Sequence, residues 1–152
     1  MKRRIHIVTD GSAIGNPGLG GWAAVFLCDK RRWTISGSVL GTTAPEMELT
    51  AAIEALRSLD HGSIVILRSD SEYLIHGMRY LAARWRKQGW RNGRGLPLKH
   101  WKLWEELLDL NEIHCVRWQW VRGHNGHPMQ TQADTLAYAQ AYQLLLDSRR
   151  AA

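Results

Sequence analysis

Four carboxylates and a histidine occupy positions where a structural role explains each one singly but strains to explain them all. Asp10 ends the apolar run "IHIVTD" and opens onto Gly-Ser, and Asp70 ends "IVILRSD" in the same way. Alone, each reads as an ordinary turn or N-cap aspartate. Glu48 lies four residues before Ala52 and eleven before Leu59, so it borders the apolar face of its helix, whereas Glu46 and Glu54 fall on the polar face. A carboxylate leaning toward a core needs a partner or a cation. Asp134 stands three residues before Ala137 and seven before Ala141, in the first turns of a helix, where interaction with the helix dipole is the plain explanation. Brought to one place, these groups repel one another at neutral pH unless a divalent cation neutralises them. Hard oxygen ligands suit Mg²⁺ or Mn²⁺ and not zinc. A pair of such ions about 3.5–4 Å apart is suited to in-line attack on phosphodiesters. The fifth element is "VRGHNGHP", with His124 and His127 in a glycine-flanked loop. No Cys or third His stands near them, so zinc is disfavoured, and a loop-borne His124 beside carboxylates suits proton transfer.

These residues need elements to deliver them. Residues 3–10 read as a strand, Gly15 to Gly18 as a turn, and 20–30 and 31–41 as two further strands of an antiparallel meander. The period then changes: Leu49, Ala52, Ile53, Leu56 and Leu59 share one helical face, and Pro45 suits the first turn. Ile64-Val65-Ile66-Leu67 is apolar on both faces, as a central strand requires. Residues 71–85 and 98–112 read as helices and 113–123 as a fifth strand, with Val116, Trp118 and Trp120 alternating against Arg117 and Gln119. Thr131 to Asp147 forms a last Ala/Leu-rich helix. The order βββ-α-β-α-α-β-α implies a mixed sheet with helices packed on it. Strands one and four, joined by a helical crossover, become parallel neighbours whose carboxyl ends, with Asp10 and Asp70, lie side by side.

Composition sets the outer limits. The chain has 152 residues, 45% of them hydrophobic, and eight Trp, as expected of one globular domain. No apolar run approaches the roughly 20 residues of a membrane span, and the basic Met-Lys-Arg-Arg start is followed by no signal-like apolar stretch. Cys28 and Cys115 lack metal-like spacing and read as buried free thiols of a reducing compartment. Twenty Lys and Arg against 14 Asp and Glu give a formal charge of +6, which permits a polyanionic partner without demonstrating one.

Taken together, "TDGS" with "GNPG", "MEL" with "AAIEAL", "SDS" with a following Tyr, "WQWVRGHNGHP", and "AD" before the last helix resemble the type 1 ribonuclease H family of bacteria. The resemblance runs from residue 5 to about 142. It implies a single-domain α/β ribonuclease H-like fold over residues 1–152, core about 3–146, with a five-stranded mixed sheet flanked by helices. It also implies hydrolysis of the RNA strand of an RNA–DNA hybrid, leaving 3′-hydroxyl and 5′-phosphate ends. The family's metal ligands map onto Asp10, Glu48, Asp70 and Asp134 and its catalytic histidine onto His124. Two Mg²⁺ ions, or Mn²⁺, serve in the substrate complex, and the expected protein is a cytoplasmic monomer that meets no membrane.

The resemblance also assigns a grip on substrate. From Tyr73 to Trp104 there is no Asp or Glu, while Arg79, Arg84, Arg86, Lys87, Arg91, Arg94, Lys99 and Lys102 interleave with Trp85, Trp90, Trp101 and Trp104. Trp101 and Trp104 are expected in the core. Trp85, Arg86, Lys87 and Trp90 match the family's basic protrusion, which holds the DNA backbone. Gly11 and Asn16 match the family, and Thr43, Glu72 and His100 stand at positions where it meets substrate. Several positions depart from the family pattern: Gly41, Ala44, Pro45, Glu46, Leu81 and Gln130, together with Glu72 and His100. The chemistry is expected intact and the substrate grip altered. Two rivals share some of these features. Another nuclease of the same fold, resolvase- or integrase-like, leaves "GHNGHP" and the basic tryptophan stretch unexplained. A non-catalytic hybrid-binding module has no use for four acids facing a polyanion.

Overall fold

Arg4–Gly15 (β1), Gly18–Cys28 (β2) and Arg31–Thr42 (β3) form the antiparallel meander in a computed structural model that describes residues 2–123 and 126–151. Helix α1, Ala44–Arg57, crosses back to β4, Ile64–Ser69, which lies parallel to β1, and β5, Cys115–Trp120, lies parallel to β4. The strand order is β3-β2-β1-β4-β5. Between β4 and β5 run α2 (Glu72–His76), a π-helical turn (Gly77–Leu81), α3 (Ala82–Lys87) and α4 (Trp101–Ile113); α5, Pro128–Ala151, follows β5. The mixed five-stranded sheet flanked by helices is the architecture expected from the sequence.

Local chemistry explains the boundaries that matter for function. Thr43 caps α1, its hydroxyl accepting the Glu46 N–H at 3.4 Å, and Pro45 occupies the first turn. The face of α1 with Leu49, Ala52, Ile53 and Leu56 is buried on the sheet. Val65, Ile66 and Leu67 are all buried, because β4 is paired on both edges and covered on both faces. Ile7 belongs to the larger core under α1, α2 and α4, whereas its neighbour Val8 joins Val25, Met129 and Ala133 in a smaller core under α5. The alternation along β1 thus feeds two layers.

Three local expectations need correction. The first strand does not stop at Asp10 but continues to Gly15, because the antiparallel ladder with β2 carries it on, Asp10 opposite Ala23. The helix read over 71–85 is interrupted by the π turn at Gly77–Leu81. The two thiols are free, but Cys115 is exposed and Cys28 only half-buried, since both lie at strand ends.

Candidate active site

The pairing of β1 with β4 runs from Arg4–Ile64 to Val8–Arg68 and ends there, while β1 stays paired to β2 as far as Gly15. Past Val8 and Arg68 the two strands part, and the first acids beyond that point are Asp10, within β1, and Asp70, just past the end of β4. This is the carboxyl-end crevice where open α/β sheets place ligands. Glu48 reaches it from the second turn of α1. One carboxylate oxygen from each of Asp10, Glu48 and Asp70 lies within 4.8 Å of the other two.

The backbone around these acids is shaped to admit them. A Cβ on Gly11 would collide with the backbone of Met47 and Glu48, so only glycine lets β1 pass this close to α1. The Gly11 N–H donates to Asp10 Oδ1 at 2.9 Å. A Cβ on Gly123 would stand 2.9 Å from Asp70 Oδ2, so the chain leaving β5 approaches Asp70 just as tightly. The Trp120 indole N–H donates to the Asp70 carbonyl at 3.2 Å, and that ring is 46% exposed instead of turning inward with Trp118. Trp120 and Gly123 are supports of the site that the sequence alone did not single out; their nearness to the "GHNGHP" loop is the only linear signal.

The capping explanation for Asp70 fails, because Ser71 does that work: its Oγ accepts the Leu74 N–H at 3.2 Å. Asp10 lies inside a strand and caps nothing. Burial, then the Asp70 charge, then a hydrogen bond with Asp134 push the Asp10 carboxyl up to about 7, against opposing hydrogen bonds with Glu48 and the Gly11 N–H. Glu48 is raised well above the usual carboxylate range, by burial first and then by Asp10 and Asp70. Its Oε2 is buried and, among the described residues, meets no hydrogen-bond partner. A buried carboxylate oxygen without a donor is a group that a hard cation satisfies. Asp134 is exposed on α5 and touches the group through Asp10, outside the tight trio. His124 lies outside the described residues.

The expected substrate residues divide. Gly11 is built into the acidic crevice, while Asn16 in the β1–β2 turn, Glu72 at the start of α2 and Lys87 at the end of α3 are exposed. Thr43 is occupied as the α1 cap. His100 faces Glu46, Nε2 to carboxylate at 3.5 Å, and its Nδ1 meets the Tyr73 hydroxyl at 3.0 Å. Burial lowers its pKa, with Lys99 adding to that and Glu46 opposing it. Three residues expected on a protruding basic surface lie elsewhere. Trp85 packs edge-on against Trp104, ring centroids 5.4 Å apart, and Trp90 is buried in the main core. Arg86 is turned onto α4, where it pairs with Asp109 at 2.6 Å and Glu112 at 2.9 Å and donates to the Glu105 carbonyl. Leu74, Met78, Ala82 and Trp85 recur at helical spacing, the signal that marks Trp85 as core. The other seven cations of the stretch, Arg79, Arg84, Lys87, Arg91, Arg94, Lys99 and Lys102, are exposed.

A five-stranded mixed sheet that gathers carboxylates at the parting of two parallel strands defines an α/β domain with a site for a divalent cation. The chain belongs to the ribonuclease H family: residues 2–142 match the RNase H family, and with it the chain is a nuclease. It is 45% identical over 136 residues to the ribonuclease H of Geotalea uraniireducens, which covers 90% of this chain and 92% of that protein. Identity to the ribonuclease H of Chromohalobacter salexigens is 43% over 148 residues, 97% of this chain and 90% of the relative. Among solved structures, LC9-RNase H1, described as a type 1 RNase H with the type 2 active-site motif, superposes with a TM-score of 0.85 at 27% identity. That match covers 94% of this chain and 74% of the other.

Proposed function

We propose that this protein is an endoribonuclease that hydrolyses the RNA strand of RNA–DNA hybrids, leaving 3′-hydroxyl and 5′-phosphate ends. The observation that carries the reading is the trio of Asp10, Glu48 and Asp70 with carboxylate oxygens within 4.8 Å of one another, where burial and mutual repulsion raise the pKa of both Asp10 and Glu48. The orphaned Glu48 Oε2 makes these residues a fitting set for Mg²⁺, or Mn²⁺ in its place. Asp10, Glu48 and Asp70 would hold the metal, with Asp134 beside Asp10, two ions being engaged in the substrate complex. Held there, a metal ion would supply activation of a water and stabilisation of the charge on the leaving 3′ oxygen.

The chain's own residues supply the rest. Asp10 is the hub, interacting with Glu48, Asp70 and Asp134. Gly11 lets a strand backbone reach the crevice floor, and its N–H fixes the Asp10 carboxylate. Asn16, exposed in the β1–β2 turn, is assigned contact with the hybrid, of which only the RNA strand offers a 2′-hydroxyl. His124 is assigned proton transfer or product release. The exposed cations between Arg79 and Lys102 take the DNA backbone. We read residues 1–152 as one ribonuclease H domain, acting as a monomer in the cytoplasm; among the described residues no helix is long and apolar enough to cross a membrane.

The test is cleavage of labelled RNA–DNA hybrid, duplex DNA and duplex RNA with Mg²⁺ or with EDTA. Only the hybrid's RNA strand should be cut, and only with metal. Asp10→Asn or Asp70→Asn should lower the rate by about 10²–10³-fold or more. Cutting of duplex DNA, or full activity in either variant, would exclude the assignment.

A further inference from the structure

Four residues back along β1 from Asp10, about 13 Å at roughly 3.3 Å per residue, the same strand lines a second cavity that the hydrolytic reaction does not use. It has a volume of about 410 Å³ and is walled by Arg68, His6, His127 and Gln130, with Val8 and Met129 among its apolar residues. Such a volume falls within the ordinary range for a small-molecule site. Arg68 is half-buried on the central strand, and its guanidinium is fixed by two neutral partners. Nε donates to Gln119 Oε1 at 3.1 Å and Nη1 to His6 Nδ1 at 3.0 Å. Among the described residues no carboxylate pairs with Arg68, and none lines the cavity. A planar cation positioned by neutral hydrogen bonds, in a half-enclosed space, is a phosphate receptor by its chemistry.

Two further observations narrow the ligand. Gln130 donates its amide N–H to the Arg122 carbonyl at 3.1 Å, which fixes its orientation, and its Oε1 is buried with no partner among the described residues. That oxygen asks for a donor, so a bare anion satisfies only half of the cavity. Val8 and Met129, both buried, offer an apolar wall. Burial and the charges of Arg68 and Arg4 also hold His6 below its usual pKa, which marks the spot as electropositive.

We propose that this cavity binds a nucleoside monophosphate, with the phosphate on Arg68, a sugar hydroxyl or base amine donating to Gln130 Oε1, and the base against the apolar wall. The site is separate from the acidic crevice and does not depend on it. The probe is 5′-AMP, titrated calorimetrically into the full chain in EDTA, with inorganic phosphate and adenosine as separate arms. AMP should bind at one site and more tightly than either fragment. Arg68→Gln should weaken it about ten- to hundredfold, as expected when one charge-assisted hydrogen bond is removed, while Asp10→Asn leaves it unchanged. Gln130→Glu, on the surface helix, sets a carboxylate beside Arg68 and should weaken binding by a similar factor; it decides the matter if Arg68→Gln fails to fold. Absence of saturable binding into the millimolar range would overturn the proposal. So would AMP binding that Gln130→Glu does not change, or phosphate binding as tightly as AMP.

Discussion

Asp10 is the residue on which the chemistry and the stability of the domain pull in opposite directions. Its carboxyl stands at about 7 in the folded chain against an ordinary 3.8, so between those values the folded state holds a proton that the unfolded state has released. The contribution of this carboxyl to the stability of the metal-free protein is therefore fully present below about pH 4 and is lost as pH rises through about 7. Glu48, raised for the same reasons, adds to the loss. In EDTA, Asp10→Asn should be more stable than the native chain at pH 8 by on the order of 2 kcal/mol, and the gap should narrow through pH 5 and close near pH 4. Thermal melts over that range test it, with about 2–4 °C expected per kcal/mol for a domain of this size. Equal melting of the two proteins at pH 8 would mean the charges are not in conflict. Metal should reverse the trend, since cation binding must expel these protons. Mg²⁺ titrated near pH 6.5 in buffers of different ionisation enthalpy should show proton release, and its apparent affinity should rise with pH up to about 7. Glu46 shows the opposite disposition of charge. The sequence places a negative charge near Thr43, a position where the family meets substrate, but the carboxylate is engaged by the Thr42 hydroxyl at 2.8 Å and faces His100, so it is less free to repel a polyanion than its type suggests.

At the scale of elements, what was legible followed from burial patterns, and what was not depended on which face a side chain takes. Strands β1 and β4 could be read because an apolar run ending in an acid looks the same whether or not the ladder continues. Their parallel adjacency followed from the crossover helix. The continuation of β1 to Gly15 was hidden, because Gly-Ser-Ala-Ile-Gly carries turn residues and is held extended only by β2. Alternating Arg and Trp between residues 84 and 91 gave no sense of direction in one dimension; the partners that turn Arg86 inward, Asp109 and Glu112, lie on a helix more than twenty residues on. Arg86→Ala should accordingly behave as a structural change. It leaves two acids on α4 without their shared cation and should lower stability by about 1 kcal/mol, read from denaturant midpoints, with hybrid affinity barely altered. The π turn has a similarly local cause. Trp104, fully buried, lays its ring across Gly77, where a Cβ would overlap it. Gly77→Ala should cost about 1–3 kcal/mol by overpacking, although alanine is the better helix former. An unchanged or raised midpoint would show that the turn opens for other reasons.

Over the whole molecule the charge is sorted by place. The chain carries +6 in total, yet its acids Asp10, Glu48, Asp70 and Asp134 gather at the sheet crevice, while seven exposed cations lie on the acid-free stretch from Arg79 to Lys102. A polyanion is thus attracted to one region and repelled at the other until metal arrives, which separates docking from chemistry. Arg86 is held by its pairs on α4, so the electrostatic grip is expected to rest on the seven exposed cations, Arg84, Lys87, Arg91 and Arg94 at the centre of the stretch among them. Of these, Arg91 also donates to the Gly95 carbonyl at 2.7 Å and has a second role in shaping its loop. The cleanest probe is therefore Arg84→Ala, Lys87→Ala and Arg94→Ala combined, with hybrid binding followed over a salt series in Ca²⁺ instead of Mg²⁺. Each phosphate ion pair removed should flatten the log–log salt dependence by about 0.9, taking the duplex-DNA coefficient as guide. The triple variant should then show a slope shallower by up to about 2.7 if all three residues meet phosphates, and bind correspondingly more weakly at low salt. Single-turnover cleavage at saturating enzyme should stay near the native rate, because none of the three reaches the acidic crevice. Arg86→Ala run beside it should keep the native slope. If the triple variant keeps that slope as well, these cations form only a solvated face, and the grip must come from the neighbourhood of Asn16 and Thr43.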